Sequence, residues 1–244
     1  MIAVEALSKR FGAVQALDTV SFTAPDGTIT GILGPNGAGK TTLMRILATL
    51  LVPDAGTALV DGHDGTLEPI VVRQRFGILS DAKGLYPRLT ARENVDYFGA
   101  LYGLPKEQVS ARRDALFAQL GMGALTDRRA DGFSQGEKMK TAIARALIHD
   151  PQNVLLDEPT NGLDVIATRA MRELIRELKN AGKCVLFSSH IMQEVSAVCD
   201  RIVVLNHGRV VAAGTPADLL RASGCATLED AFVSLLGSAE GLVA

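Results

Sequence analysis

A glycine-rich segment with the letters GPNGAGKT extends from Gly34 to Thr41 and has the spacing G-x-x-x-x-G-K-[ST]. An apolar run precedes this segment and a helical pattern follows it, which is the context that such a motif requires. Gly37 and Gly39 permit backbone angles that turn successive amides toward phosphate oxygens. The segment therefore predicts a loop that binds the phosphates of a nucleoside triphosphate.

The side chains of this loop have separate predicted roles. Lys40 is expected to reach the β- and γ-phosphates, and the Thr41 hydroxyl is expected to ligate Mg²⁺. A helix that begins near Lys40 adds about half a positive charge at its N-terminus, which favours an anion there. The predicted cofactor-binding residues of the loop are Gly34, Pro35, Asn36, Gly37, Ala38, Gly39, Lys40, Thr41 and Thr42.

Two acidic residues, Asp157 and Glu158, end the apolar run of the segment NVLLDEPTNGLD. Because ligands bind at the carboxyl ends of parallel strands, such a strand end would place a carboxylate beside the phosphate loop. We expect Asp157 to hold Mg²⁺, directly or through water, and Glu158 to act as the general base on the attacking water. His190 follows the apolar run of VLFSSH, where its imidazole could reach the γ-phosphate.

A third segment, GFSQGEKMKTAIARAL, places Ser134 three residues before Glu137. This S-x-x-E spacing is the capping box, in which each side chain satisfies an unpaired amide at a helix start. An apolar face follows at helical spacing and consists of Met139, Ala142, Ile143, Ala146 and Leu147. By itself, the segment predicts only an amphipathic helix.

The elements that position these residues follow from the hydrophobic periodicity. Short apolar or alternating runs predict strands at 2–7, 20–24, 28–33, 57–60 and 77–79. Between Thr90 and Gly123 the pattern becomes helical, and it opens with a second capping box at Thr90 and Glu93. Beyond Asp150, strands and helices alternate, with strands at 153–156, 184–187 and 201–205 and helices at 165–180 and 191–198. This alternation predicts a parallel sheet covered by helices.

The composition limits the partners that the chain can have. Its 244 residues carry a formal net charge of −2, which argues against general binding to a nucleic-acid backbone. Cys184, Cys199 and Cys225 are odd in number and widely spaced, which favours a reducing cytoplasm. The N-terminal letters MIAVEALSKRFG lack the long apolar run of a signal peptide, and no apolar stretch approaches the roughly 20 residues that span a bilayer. Any membrane role is therefore expected to be peripheral.

In this order, the phosphate loop, SQGEKMKTAIARAL, LLDEPTNGLD and SSH resemble the motifs of the ATP-binding subunit of ABC transporters, over nearly the whole chain. The resemblance implies an α/β fold, with a P-loop NTPase (RecA-like) core, an antiparallel β subdomain and an inserted helical subdomain. We expect the nucleotide-binding domain over 1–215, the helical insertion at about 84–150 and a helical tail over 216–244. The predicted docking face of that tail is Leu228, Phe232, Leu235 and Leu236.

The resemblance also implies two such domains that close head to tail around two ATP molecules. Ser134 and Gly136 match the family's signature motif, whose helix N-terminus is offered to the γ-phosphate bound by the opposite subunit. Phe11 lies where the family commonly stacks an aromatic ring on adenine. Asp164 matches the loop that senses the other site across the dimer, and His190 matches the family's switch histidine.

Three positions depart from the family pattern. The usual L-S-G-G-Q reads F-S-Q-G-E here, so Gln135 replaces a glycine and Glu137 brings a carboxylate near a phosphate. We expect Glu137 to fold back onto its own cap amide, which moves its charge away from the ligand. The loop glutamine that touches magnesium and contacts the membrane subunit is matched by Asp81, or by Ser80 if the register shifts by one. An Asp81 carboxylate oxygen could ligate Mg²⁺, although its shorter reach weakens the coupling role.

Within the family, the motifs look most like those of the branch that energises small exporters, including sodium-extrusion (NatA-like) ATPases and drug or polysaccharide exporters. The predicted function is ATP hydrolysis that drives a polytopic membrane permease from the inner face of the cell membrane, with a homodimer as the default. The main alternative is a soluble ABC-type ATPase that acts on ribosomes or DNA, but such proteins commonly carry two nucleotide-binding domains or a long coiled-coil insertion. A regulatory module without catalysis is opposed by an intact set of Lys40, Thr41, Asp157, Glu158 and His190.

Overall fold

A computed structural model of the chain describes residues 1–80 and 84–240, where the strands form two sheets. The strands are β1 Ile2–Phe11, β2 Val14–Ala24, β3 Ile29–Leu33, β4 Ala55–Val60, β5 His63–Asp64, β6 Phe76–Leu79, β7 Asn153–Asp157, β8 Cys184–Ser189, β9 Arg201–Asn206 and β10 Arg209–Gly214. The helices are α1 Lys40–Leu47, α2 Pro69–Arg75, α3 Ala91–Leu101, α4 Lys106–Gln119, α5 Gln135–Leu147, α6 Val165–Asn180, α7 Met192–Val198, α8 Pro216–Ser223 and α9 Leu228–Glu240.

The larger sheet has six strands in the order β10-β9-β3-β8-β7-β6. Strands β9, β3, β8, β7 and β6 run parallel, and β10 joins the edge antiparallel. Every residue of β3, β7 and β8 is buried, because helices or the smaller sheet cover both faces. The predicted parallel sheet is therefore confirmed, and the carboxyl ends of β3, β7 and β8 meet at one edge.

The smaller sheet is antiparallel, with the strand order β2-β1-β4-β5. Its apolar side chains, such as Leu7 and Val20, share one core cluster with α1 and with one face of the parallel sheet. Strands β1 and β2 are longer than the periodicity predicts. Their register shifts within the pair, and Ala6 and Thr19 have positive φ, so bulges interrupt the alternation that marks a strand.

Helices α3, α4 and α5 lie between β6 and β7, in the region where the sequence predicts a helical insertion. The predicted capping box at Thr90 and Glu93 is present at the start of α3. Helix α5 packs on two sides: Met139 and Ile143 belong to the core of the parallel sheet, whereas Ala144 belongs to a separate cluster with α3 and α4. We keep the limits of about 84–150 as a proposal, since α5 belongs to both cores.

The C-terminal helices lie against the parallel sheet. In α9 the predicted docking residues are partly buried against the core under that sheet, and they are Leu228, Phe232, Leu235 and Leu236. Helix α9 contacts α7, α8, β9 and β10. The tail at 216–240 therefore packs on the same core as the preceding residues, and we propose that it stabilises the domain.

His149 joins the end of α5 to the sheet. Its ring stacks on Tyr102 with 3.6 Å between centroids, and its Nε2–H donates to the carbonyl oxygen of Phe76 at 2.9 Å. Burial lowers the pKa of His149 to about 4 from the usual value of 6.5. The unfolded chain therefore binds more protons between these two pH values, so the stability from a neutral His149 is complete above pH 6.5 and is lost toward pH 4.

We expect the free energy of unfolding to fall by about 1–2 kcal/mol between pH 7 and pH 5 because of this group. Urea denaturation at both pH values would measure the change in the parent and in His149→Phe, which keeps an aromatic ring against Tyr102. The variant is expected to be less stable at pH 7 but less sensitive to acid. An equal loss in both proteins would contradict this account.

Candidate nucleotide-binding and catalytic site

The predicted phosphate loop joins β3 to α1. Gly37 and Gly39 have φ angles of 81° and 105°, a region that residues with a Cβ rarely occupy. A Cβ at Gly39 would overlap the carbonyl oxygen of Ala16, and one at Gly34 would overlap that of Leu205. The loop therefore needs glycine at all three positions, for conformation, for packing or for both.

Lys40 is the first residue of α1 and is only 7% exposed. Its Nζ donates to the carbonyl oxygens of Gly34 at 2.7 Å and Pro35 at 3.2 Å, and it lies 3.8 Å from Glu158 Oε1. Burial lowers the pKa of Lys40, while the negative charge of Glu158 acts in the opposite direction. The ammonium group is thus held by the loop itself, beside the acidic pair.

The acidic pair lies at the end of β7, with Asp157 as the last residue of the strand. Ser188, its neighbour on β8, donates from Oγ to Asp157 Oδ1 at 2.6 Å and accepts from the Glu158 amide at 3.1 Å. Glu158 has a φ of 47°, which for such a residue costs about 1–3 kcal/mol and is typical of functional sites. Ser188 therefore fixes both acidic residues, a role that the sequence analysis missed.

His190 follows β8, and its Nδ1 lies 3.0 Å and 3.1 Å from the two carboxylate oxygens of Glu158. The preceding residue, Ser189, donates to Glu194 Oε2 at 2.8 Å and accepts from the Ile191 amide at 3.0 Å. These bonds hold the turn that carries the imidazole. Lys40, Glu158 and His190 therefore converge on one point, as the sequence predicts.

These residues line a cleft of about 690 Å³ at the carboxyl edge of the parallel sheet. The phosphate loop supplies one side of the cleft, from Asn36 to Thr42. Asp157, Glu158 and His190 line it as well, together with Ser80. The cleft thus combines backbone amides, an ammonium group and carboxylates, which is a site for a phosphate ester with a base beside it.

The start of α5 lies outside this cleft and has its own polar network. Ser134 Oγ accepts from the Glu137 amide at 3.2 Å, and Glu137 Oε2 accepts from the Ser134 amide at 2.7 Å. The predicted capping box and the predicted folding back of Glu137 are both confirmed. Arg128 adds a bond that the sequence analysis missed, from Nη1 to Glu137 Oε1 at 2.8 Å. The Ser134 amide, followed by Arg128, holds the pKa of the Glu137 carboxyl below its usual value.

The sequence profile of the ABC transporter family matches residues 17–161, which include the phosphate loop, the start of α5 and the acidic pair. The chain belongs to the ABC transporter family. It is an ATP-binding subunit with ATPase activity, which confirms the resemblance and the fold class inferred from the motifs.

Two curated relatives illustrate the similarity. The ABC transporter ATP-binding protein NatA of Bacillus subtilis (strain 168) is 45% identical over 241 residues, which cover 97% of this chain and 98% of NatA. The Nod factor export ATP-binding protein I of Ralstonia nicotianae is 36% identical, over 94% of this chain and 72% of the relative.

Solved structures agree with this assignment. The structure of an ATP-binding subunit of an ABC transporter superposes with a TM-score of 0.89 at 31% identity, over 96% of this chain and 99% of the other. A dimeric post-hydrolysis state of the ATP-binding cassette MJ0796, bound to ADP and Pi, gives a TM-score of 0.81 at 25% identity. The match covers 88% of this chain and 98% of that cassette.

Four other residues expected from the ABC transporter motifs do not line the cleft. Within the described residues, Ser134, Gly136, Phe11 and Asp164 do not line it, whereas Val14, Gln15 and Ala16 do. Phe11 is 48% exposed, and Lys9 Nζ lies 5.6 Å from the centroid of its ring. Asp81 falls outside the described residues, and the alternative, Ser80, lines the cleft.

Glu137→Gln is expected to change the ATPase rate of this ABC subunit by no more than a few-fold. Glutamine also serves at this position of a capping box, and the carboxylate is already turned toward its own cap amide. Phosphate release assays would measure the rate. Glu93→Gln makes the same change in the capping box of α3 and serves as the matched control. A loss of more than about a hundredfold, or some 2.7 kcal/mol, would contradict the expectation.

Proposed function

We propose that two copies of this chain close on two ATP molecules and thereby drive a polytopic membrane permease that exports its substrate. The observation that carries the catalytic part is the convergence of Lys40, Glu158 and His190 at the cleft, with Glu158 3.8 Å from the ammonium and 3.0 Å from the imidazole. Removing Glu158 would thus remove the base and a shared partner of Lys40 and His190.

In the proposed reaction, the phosphate loop, Lys40, Glu158 and His190 have different roles. The amides of the phosphate loop and Lys40 bind and orient the phosphates of ATP. Glu158 accepts a proton from water, whose oxygen attacks the γ-phosphorus as the bond to the bridging oxygen breaks, giving ADP and phosphate. His190, beside Glu158, is placed to contact the γ-phosphate and to hold the carboxylate in position.

Oxygen donors suited to Mg²⁺ lie on the same cleft. Asp157 and the Thr41 hydroxyl both line it, and a carboxylate with a hydroxyl, completed by phosphate oxygens, is the donor set that Mg²⁺ accepts. We propose that these two residues hold the ion, with Ser188 fixing the Asp157 carboxylate through its 2.6 Å bond. When bound, Mg²⁺ would neutralise phosphate charge.

Two features that contacts within one copy do not explain support the proposed dimer: the glycine at position 136 and the exposed apolar side chains at the start of α6. A Cβ at Gly136 would meet nothing nearer than Ala167 Cβ at 4.0 Å, and its φ is not positive. Glycine in a helix costs about 0.5–1 kcal/mol relative to alanine, so a close approach from outside the chain explains its presence. The start of α6, next to Asp164, also exposes Val165 and Ile166 by 85% and 82%.

We therefore infer that Ser134 and Gly136 contact the γ-phosphate of ATP on the second copy. Asp164 Oδ1 accepts from the Ala167 amide at 2.7 Å and caps α6, and we propose that this loop lies at the interface between the two copies. Phe11, exposed at the turn between β1 and β2, is the proposed stacking partner of adenine.

The proposed membrane location is peripheral, on the inner face and through the permease. Within the two described ranges, none of the helices combines the length and the apolar character that a bilayer crossing requires. The similarity to a Nod factor export protein supports export. The cleft of this chain is lined by groups that bind phosphates, so it does not explain the choice of a transported substrate. We propose that the permease selects that substrate, such as sodium or a drug.

Affinity purification of this chain from detergent-solubilised membranes of its source organism would test the proposal. A permease at near-equal stoichiometry is expected, and reconstitution with that permease in liposomes should couple ATP hydrolysis to transport. The Glu158→Gln variant is the control for coupling, since it should bind the same permease without turnover. Ribosomal or chromosomal partners and no permease would overturn the transport assignment in favour of a soluble ATPase.

A further inference from the structure

The start of α5 carries an electrostatic conflict. The proposed function directs this helix N-terminus toward a phosphate group on the second copy, yet its first turn contains Glu137. Helix N-termini favour any anion, so an ionised side chain there competes with the phosphate and repels it. A second charge must therefore compensate Glu137 if the helix end is to accept ATP.

Arg128 is the cation that contacts this carboxylate. Its Nη1 donates to Glu137 Oε1 at 2.8 Å, while the other carboxylate oxygen accepts from the Ser134 amide. The guanidinium carbon lies 5.6 Å from the ring centroid of Phe133, and Nη2 donates to the carbonyl oxygen of Gly132 at 3.4 Å. The guanidinium group is thus placed against the segment that enters α5.

The main chain around Arg128 is also anchored. Its carbonyl oxygen accepts from the Ala91 amide at 3.1 Å, and its amide donates to the carbonyl oxygen of Leu125 at 3.0 Å. The neighbouring residue Arg129 forms a β-bridge with Thr90, the N-cap of α3. The main chain that carries the Arg128 side chain is therefore held by the start of α3, and the guanidinium itself is held by the segment that enters α5.

We propose that Arg128 is a positioning residue that neutralises Glu137 and holds it on the Ser134 amide, leaving the start of α5 open to the γ-phosphate bound by the second copy. The inference rests on the proposed dimer. Arg128 acts through Glu137 and does not itself need to touch ATP. Without the guanidinium, the carboxylate keeps its charge but loses one of its two anchors, and it opposes closure of the dimer.

A double-mutant cycle in the Glu158→Gln background tests this mechanism, because that variant is expected to trap the ATP-bound dimer. Analytical ultracentrifugation would give the ATP concentration at half-maximal dimerisation. Arg128→Ala is expected to raise this concentration about tenfold, and less at high salt, where charge repulsion is screened. Adding Glu137→Gln should restore it to within twofold of the Glu137→Gln value, which loss of a purely structural contact would not do.

Arg92→Ala is the matched control. Arg92 is 43% exposed against 50% for Arg128, and it pairs with Asp127 at 2.9 Å. This substitution is expected to leave dimerisation unchanged. If Arg128→Ala prevents folding, Arg128→Gln keeps part of the side chain against Phe133 and is used in the same cycle.

Two results would overturn the inference while the proposed dimer stands. One is a normal ATP requirement in the Arg128 variants, and the other is a defect that Glu137→Gln does not relieve. If the Glu158→Gln parent forms no dimer at any ATP concentration, the proposed function fails and the role of Arg128 falls with it.

Discussion

Glu158→Gln is expected to lower the rate of ATP hydrolysis by at least about a hundredfold while ATP binding is retained. The amide has nearly the shape of the carboxylate but cannot accept a proton from water. In the parent, Glu158 also lies 3.8 Å from the Lys40 ammonium and 3.0 Å from the His190 imidazole. Removing its charge leaves Lys40 free to bind phosphate, so the affinity for ATP is expected to stay constant or increase.

Single-turnover phosphate release and calorimetric titration with ATP would separate the two effects, and gel filtration with ATP would reveal the expected accumulation of dimer. Glu173→Gln is the matched control, because Glu173 lies on the exposed side of α6, where it pairs with Arg169 at 3.5 Å. Hydrolysis at the parental rate by Glu158→Gln would show that the base is another group.

The sequence predicts those parts of the site that depend on local spacing. The phosphate loop needs glycine where the chain takes positive φ or approaches another strand. Both requirements are therefore visible in the sequence as glycine residues. The capping boxes at Thr90 and Ser134 are equally local, since each involves residues three apart. The positions of Asp157 and His190 at one sheet edge follow from the general rule that parallel strands end together.

The contacts missed by the sequence analysis are those that depend on neighbours in space. Ser188 contacts the acidic pair because β7 and β8 are adjacent, and the order of strands is not encoded in any local pattern. Arg128 reaches Glu137 across a short 3-10 helix at Ala130–Gly132 and the start of α5, a segment too short to show a hydrophobic periodicity. Helix α5 belongs to two cores because Ala144 faces the helical cluster, whereas Met139, Ala142, Ile143 and Leu147 face the sheet.

The expected roles of Phe11, Ser134, Gly136 and Asp164 stay predictions for a different reason. One copy of the chain does not bring these residues into its own cleft. For Ser134, Gly136 and Asp164 the proposed partner is a second copy, and for Phe11 it is adenine. Measurements on the isolated monomer would therefore report on the phosphate loop, the acidic pair and Phe11, whereas Ser134, Gly136 and Asp164 need the dimer.

Lys40→Met is expected to weaken ATP binding by at least about a hundredfold. A hydrogen bond to a charged group contributes about 1.5–3 kcal/mol, and a lysine between two phosphates makes more than one such bond. The ammonium donates to the carbonyl oxygens of Gly34 and Pro35, so the loop itself holds it in position. Calorimetric titration with ATP would measure the loss.

Urea denaturation would show whether weaker ATP binding by Lys40→Met is due to misfolding. Lys40 is 7% exposed, and a buried ammonium is desolvated at a cost that an apolar side chain of similar length does not incur. The substitution also leaves the carbonyl oxygens of Gly34 and Pro35 and the Glu158 carboxylate without this donor, so these opposing effects are expected to leave Lys40→Met folded, with a urea midpoint that differs little from that of the parent. Lys138→Met, on α5 outside the cleft, is the matched control and should bind ATP normally. A stable Lys40→Met protein with parental affinity would mean that the loop amides alone bind the phosphates.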